Sequence, residues 1–393
     1  MYLDRARVHA DVAALHRLSE LLLEIPDRMF GGSLDATLAF HGLNPILAGY
    51  VKEAWKPVTP LHLRPDCLLR DGTLTLVEFN VGSGSTTVSG GVLTRMFYET
   101  SKAFRAHTAE LEKLGGVETY RADEVLVQHL ESLRQADEPV VIWVLDDEPL
   151  HVDLARALVA LCDSHGLDVR LALTEEILAA EPADLPNVFS YFSSLQFELP
   201  DRESLHAGYR KLLASPHRAF YDMDLMSLYY TSKANLALLR APEFLAGLAP
   251  EDAALVERHI PETVVIRDEA DIARLTGEQS EWVIKPFRSF QARGTLAGRW
   301  TPADEWRAAL VEAAAEGGFV AQRFIEDDRV LQLVATDQGA EWRRTIAIVS
   351  PHIIGGRFGG MSFKSTLQDA LISNVDYSST FFNIGVLVGP EPV

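Results

Sequence analysis

Apolar side chains recur at helical spacing through the first 25 residues (Val8, Val12, Leu15, Leu18, Leu21, Leu22), which predicts an amphipathic helix. Between about 60 and 80 the pattern changes. Cys67-Leu68-Leu69 and Leu74-Thr75-Leu76-Val77-Glu78-Phe79-Asn80 read as two short strands, and Arg70-Asp71-Gly72 between them carries the Asp-Gly signal of a hairpin turn. The stretch from Val81 to Gly91 is a polar loop of Gly, Ser and Thr that offers many backbone donors, and helical spacing returns over 92–115. Near residue 139 a second motif begins. Pro139–Leu145 is an apolar run of the buried-strand kind, 151–165 a helix, Gly166 its C-cap, and Leu167–Leu173 a second strand. That β-α-β order predicts a small parallel sheet. Val188–Phe192 adds a strand, and helices are expected over 203–214 and 233–248. The last 130 residues alternate strands (Trp282–Ile284, Phe319–Phe324, Arg329–Ala335, Arg344–Val349) with a helix near 303–315. The runs Gly355–Gly360 and Ser373–Thr380 read as loops.

Composition narrows the classes of function. A chain of 393 residues exceeds one small core and predicts two or three packed subdomains, divided here as 1–138, 139–230 and 231–393. No apolar run approaches the roughly 20 residues of a membrane span, and Met1–Arg7 leads into no apolar leader. Only Cys67 and Cys162 are present, too few for a disulfide framework or a cysteine zinc site. A soluble cytoplasmic protein is the expectation. The net charge of −20 argues against a nucleic-acid partner, because such binding needs a basic surface to displace counterions. An anionic ligand would instead be a small molecule held by a few placed cations.

Four constellations carry candidate chemistry. Arg64-x-Asp66 precedes Glu78-x-Asn80 on the partner strand, and residues two apart on a strand share a face. Two carboxylates and an amide oxygen make a hard donor set suited to Mg²⁺, while a solvated hairpin face would use the same residue types; the spacing leaves both open. Lys233 opens the expected helix at Ser232-Lys233-Ala234, and Lys285 closes an apolar strand before Pro286. An ammonium in that second setting needs an anion to offset its burial, and nucleotide phosphates would serve. The Gln322-Arg323-Phe324 stretch leaves its strand toward a polar segment, where its backbone could meet a base edge. Finally, Arg343, Arg344, Arg357, Lys364 and Asn374 gather beside glycine-rich turns, with Arg357 the candidate catalytic cation.

Taken in order, Arg64-x-Asp66, Glu78-x-Asn80, Ser232-Lys233-Ala234, Ile284-Lys285-Pro286 and the Gln322 strand resemble the permuted ATP-grasp core of glutathionylspermidine synthetases. The resemblance runs from about residue 60 to the C-terminus. It implies an α/β fold with α+β elements, namely a permuted ATP-grasp core with a small parallel-sheet, pre-ATP-grasp-like subdomain. It also implies an ADP-forming carboxylate–amine ligase using ATP and Mg²⁺. Asp66, Glu78 and Asn80 would hold the metal, and Arg64 would face the reacting phosphate. Lys233 and Lys285 would hold ATP, and Gln322, Arg323 and Phe324 would border adenine. Ser83, Ser85 and Thr86 in the polar loop would meet the carboxylate or amine substrate. A homodimer is compatible with the resemblance. One departure stands out: Phe287–Gly294, after Lys285, carries a single glycine where the family has a glycine-rich phosphate loop. Two alternatives stay open: a kinase without an amine acceptor, whose nucleotide site would be identical, and a non-catalytic nucleotide-binding protein, which the sparse-glycine loop supports.

Overall fold

Asp4 starts the first helix. Its carboxylate accepts the Arg7 amide at 2.8 Å, satisfying one of the donors that a helix N-terminus leaves over. The helix runs Arg5–Leu21 and turns Val8, Val12, Leu15, Leu18 and Leu21 into the core. The computed structural model describes residues 2–55, 62–81, 90–91, 100, 102–113, 116–134, 140–145, 149–185, 188–191, 202–215, 218–220, 226–289, 292–326, 328–336, 339–366, 380–384 and 386–388. No helix among them is long and apolar enough to cross a membrane.

The hairpin expected after residue 60 is present as Asp66–Arg70 and Thr73–Glu78. Asp71 and Gly72 both hold positive φ (52° and 67°), as a two-residue turn matched to strand twist requires. The Arg7 guanidinium braces the turn, donating to the Asp71 carbonyl and to Thr73 Oγ1. Asp11, buried on the same helix, accepts the Leu74 amide at 2.9 Å and so pins hairpin to helix.

That hairpin is one edge of a large antiparallel sheet. Its order is Thr380–Ile384, Arg357–Thr366, Gly339–Ile354, Asp66–Arg70, Thr73–Glu78, with Val330–Thr336 and His62–Leu63 also paired to the long Gly339–Ile354 strand. A second antiparallel sheet orders Thr263–Val265, Phe319–Arg323, Trp282–Pro286 and Leu296–Ala297. Helices Glu269–Gly277 and Ala303–Glu316 cover it, and Trp282, Ile284, Ala321, Trp306 and Leu310 form their shared core. A third sheet is parallel throughout, in the order Val169–Leu173, Val140–Val144, Val188–Tyr191, Arg218–Phe220. Val140–Val144 is buried along its whole length, as a parallel strand covered on both faces should be. Tyr2–Asp4 pairs with Val386–Val388, and that strand with Val117–Glu118, so the two ends of the described chain meet in one small sheet.

Three expectations change. The helix read over 233–248 is two, Ala234–Leu239 and Pro242–Ala246, because Pro242 denies the first helix a continuing N–H and pushes Ala241 into extended backbone. The glycine run at 355–360 is only partly a loop. Gly355 and Gly356 turn the chain, and Arg357–Thr366 is a ten-residue strand. Its glycines serve packing, since a Cβ on Gly359 would lie 2.7 Å from the Ala122 Cα of the helix laid across it. The Ser373–Ser379 part of the second loop lies outside the described residues, and Thr380 begins a strand.

Candidate active site

A break in register aims the hairpin's carboxylates. Asp66 opposes Glu78 and Cys67 opposes Leu76, so Val77 is one residue too many on its strand, a β-bulge. Without it Glu78 would share a face with Leu76, which is fully buried in the core. With it, Glu78 stands beside Asp66 on the opposite face, while Cys67 and Leu76 stay inside. Arg64 and Asn80 continue the pairing beyond the strands, exchanging backbone bonds of 2.8 and 3.3 Å. All four residues of the first constellation therefore lie together.

The lysines reach the same place from two other segments. Lys233 precedes helix Ala234–Leu239, and its amide bonds to Phe287 O at 2.8 Å. Its ammonium lies 3.0 Å from Glu78 Oε2 and donates to Ser289 O at 3.1 Å. Lys285, on the second antiparallel sheet, donates to Gln322 Oε1 at 2.6 Å and lies 3.4 Å from the carbonyl of the bulged Val77. The cluster thus lies between the two antiparallel sheets, with Gln322 buried beside it.

Its electrostatics are cation-rich. Arg64 Nε is 3.6 Å from Asp66 Oδ1, and Lys364, on strand Arg357–Thr366, is 3.9 Å from Asp66 Oδ2. Four cations surround two carboxylates in a chain whose overall charge is −20. Burial favours the protonated form of Glu78, but Lys233, Lys285 and Lys364 overcome it and hold the carboxyl down to about 2. Burial pulls the Lys285 ammonium down to about 8, resisted by Glu78 and Asp66 and aided by Lys233.

The donor set suits a hard divalent cation. Among the described residues there is no group of three or more His, Cys, Asp or Glu that could hold a metal by themselves. Asp66, Glu78 and Asn80 supply two carboxylates and an amide, and phosphate oxygens and water would complete the shell that Mg²⁺ favours. The side-chain nitrogen of Asn80 is buried without a hydrogen-bond partner, so it holds the amide in no particular orientation.

Other expected residues lie apart. Arg323 alternates to the far side of its strand from Gln322, where it pairs with Glu262 and Glu278 (both 3.2 Å). The Phe324 ring carries the Arg299 guanidinium at 3.6 Å and meets Trp300 edge-on. The amides of Arg323 and Phe324 are taken by Glu262 O and Glu281 O. Contact with a base edge from this segment would therefore fall to backbone past the ladder. Arg357 is exposed at the opposite end of the Lys364 strand and donates to Gln128 at 2.8 Å. Seven residues of strand, roughly 20 Å at about 3.3 Å each, hold it away from Asp66. Arg343 and Arg344 are also exposed. Ser83, Ser85, Thr86 and Asn374 lie outside the described residues.

Two groups escaped the sequence reading. Ser350 donates to Asp66 Oδ1 at 2.7 Å across 284 residues of chain. His62 and His352 form a buried, uncharged pair (Nε2 to Nδ1, 3.2 Å), and His352 Nε2 lies 3.1 Å from Ser362 Oγ. Burial and the nearby Arg64 push both imidazoles below their usual range, His62 to about 3. Period-two alternation places Ser350 and His352 on one face, but nothing local in sequence shows which strand lies alongside.

No family model matches this sequence, and no curated protein matches it. In three dimensions the chain is similar to a glutathione synthetase-like effector of Globodera pallida in its apo form. The TM-score is 0.55 at 14% identity, over 98% of this chain and 89% of that one. Two further solved structures are more distant. A gamma-glutamylcysteine synthetase-like protein of Methylobacillus flagellatus KT has TM-score 0.39 and 9% identity, over 86% of this chain and 82% of its own. The D-cycloserine synthetase DcsG has TM-score 0.28 and 12% identity, over 64% and 91%. The last two add nothing to the assignment. The chain has a mixed α/β, ATP-grasp-like fold, which it shares with the effector over nearly its whole length.

Proposed function

We propose that this chain is an ATP- and Mg²⁺-dependent, ADP-forming carboxylate–amine ligase, similar in motif order to the permuted glutathionylspermidine synthetase-like enzymes. The observation that carries the reading is the convergence of Lys233, Lys285 and Gln322 on the Asp66–Glu78 pair, from three separated stretches of chain. A surplus of buried cations needs an anion, and a nucleotide triphosphate supplies one. In this reading residues 1–138 and 231–393 share the core and 139–230 form the small parallel-sheet unit. Both cysteines are free and buried, which suits the reducing cytoplasm proposed for it.

Lys233 and Lys285 would meet the phosphates, and Gln322, which accepts from Lys285, would hold that ammonium in place. Asp66, Glu78 and Asn80 would hold a divalent cation, which would supply charge neutralisation to the phosphates. Arg64 would steady the γ-phosphoryl as a substrate carboxylate oxygen attacks it, giving an acyl phosphate and ADP. An amine would then attack the acyl carbon and expel phosphate, leaving an amide and releasing a proton. Ser83, Ser85 and Thr86 stay the proposed substrate-contacting loop. The name of the structural neighbour favours a carboxylate of amino-acid or small-peptide size.

One observation favours a second reading, a non-catalytic nucleotide-binding protein: Glu78 is ion-paired to Lys233 at 3.0 Å, so metal binding must compete with that contact. ADP release with ATP, Mg²⁺ and a panel of amino acids and short peptides, with hydroxylamine as surrogate amine, separates the readings. Substrate-dependent ADP with a hydroxamate supports the ligase. ADP without a hydroxamate points to a kinase, and ATP binding without turnover to the non-catalytic protein.

A further inference from the structure

Asp66 is 3% exposed, and its two oxygens meet different surroundings. Oδ1 accepts from the Ser350 hydroxyl at 2.7 Å and has Arg64 Nε at 3.6 Å. Oδ2 faces the Lys364 ammonium at 3.9 Å, beyond hydrogen-bond reach. Ser350 itself is 1% exposed and lies on the central Gly339–Ile354 strand, one residue beyond the Val349–Cys67 register pair. A buried serine hydroxyl must find an acceptor, and here it finds a carboxylate, the stronger kind of partner. Rotation of the Asp66 carboxylate about its last bond would break that contact.

We infer that Ser350 is a positioning residue that ties down Oδ1 of Asp66, leaving Oδ2 alone to meet the cation and thereby favouring Mg²⁺ over Ca²⁺. The inference rests on the metal reading above. Mg²⁺ demands near-octahedral geometry with single-oxygen carboxylate contacts, whereas Ca²⁺ accepts both oxygens of one carboxylate and more ligands. A carboxylate with one oxygen held by a neutral donor offers the first kind of contact. Freed from Ser350, it could turn both oxygens to a larger ion. The bond leaves the charge of Asp66 unchanged, so it acts on geometry.

The test is metal binding by the full-length chain with a non-hydrolysable ATP analogue. Mn²⁺ titration is followed by electron paramagnetic resonance of the free ion, then Mg²⁺ and Ca²⁺ compete for the site. Ser350→Ala removes the donor, and Ser350→Cys nearly preserves its volume while leaving only a weak donor. Either variant, once its melting curve shows it folded, should lose about tenfold or more in Mg²⁺ and Mn²⁺ affinity. Ca²⁺ affinity should hold or rise, so the Mg²⁺-to-Ca²⁺ ratio falls. A purely structural serine would weaken all three ions alike. An unchanged ratio in a folded variant overturns the inference while leaving the ligase reading intact. A wild-type chain that binds no Mn²⁺ with the analogue overturns both.

Discussion

Glu78 ties the hairpin to the residue that opens helix Ala234–Leu239, Lys233, at 3.0 Å. Its carboxylate is held ionised, down to about 2, because Lys233 and Lys285 outweigh the burial that opposes its charge. A depressed carboxyl stabilises the fold fully above its unfolded value of 4.5, and that contribution fades as pH falls toward 2. Glu78→Gln leaves Lys233, itself 5% exposed, facing no carboxylate at 3.0 Å. Its expected cost is about 2 kcal/mol, between the values for surface and buried pairs. Urea unfolding would measure this, and a variant as stable as wild type would show that the pair is inert. Asn80→Ala separates function from stability better, since the Asn80 amide nitrogen has no protein partner to lose. Its midpoint in urea should move little while Mg²⁺-dependent ADP release falls at least a hundredfold, about 2.7 kcal/mol of barrier. Lys285 sets an upper limit in pH. Its pKa is about 8 in the fold against 10.5 unfolded, so the folded chain gives up that proton first. In the proposed function the charged form would hold phosphate, so kcat/KM for ATP should decline as pH rises past about 8. A profile flat to pH 9.5 would separate Lys285 from nucleotide binding.

Among the elements, the strands around the site depend on irregularities more than on propensity. The Val77 bulge exchanges the face of Glu78 and exposes a carbonyl toward Lys285. A second irregularity, between Pro351 and Ile353, adds a residue on the partner strand at Gly359–Gly360, where helix Ala122–Ser132 crosses closely. Gly359→Val would drive its side chain into the Ala122 Cα, 2.7 Å from where its Cβ must sit. The helix must shift, at about 3 kcal/mol for overpacking, and thermal unfolding would register it. An unshifted melting temperature would mean that the crossing adapts freely. The loop after Lys285 also has an element-level explanation for its missing glycines. Phe287 is buried against Ala234, Ala237 and Val320, and Phe40 stacks on it at 5.7 Å. Arg288 bonds to Gly42 O at 3.0 Å. The start of this loop is thus packed on the N-terminal helices, and side chains replace the freedom that glycine would give.

At the scale of the whole molecule, the chain closes on itself. The segment from Asp66 to Glu78 is completed by strands from residue 330 onward, and Tyr2–Asp4 by Val386–Val388. The cluster of Asp66, Glu78, Lys233 and Lys285 therefore exists only when distant thirds of the chain have assembled. A ligand that bridges them should stabilise the assembled state: Mg²⁺ and ATP at a hundred times the dissociation constant are worth about 2.7 kcal/mol. Scanning calorimetry should show the melting temperature rise by a few degrees, and Lys285→Ala should abolish most of that rise. An equal rise in the variant would place the nucleotide elsewhere.

Periodicity was enough to read the Arg5–Leu21 helix, the Asp71-Gly72 hairpin and the parallel β-α-β unit, because each rests on contacts within about 35 residues and on local turn chemistry. Residue type and spacing also singled out Arg64, Asp66, Glu78, Asn80, Lys233, Lys285 and Gln322, which the fold gathers. Parity alone would have left Glu78 on the core face, and only the extra residue in the ladder turns it outward. Arg323 and Arg357 look as promising as their neighbours, but strand alternation and the length of one strand carry them away, and Phe324, past its strand's end, packs against Arg299 and Trp300. Ser350 and Lys364 reach Asp66 across nearly 300 residues. Which strand lies beside which is decided by long-range burial and pairing, and that information resides in the packed molecule.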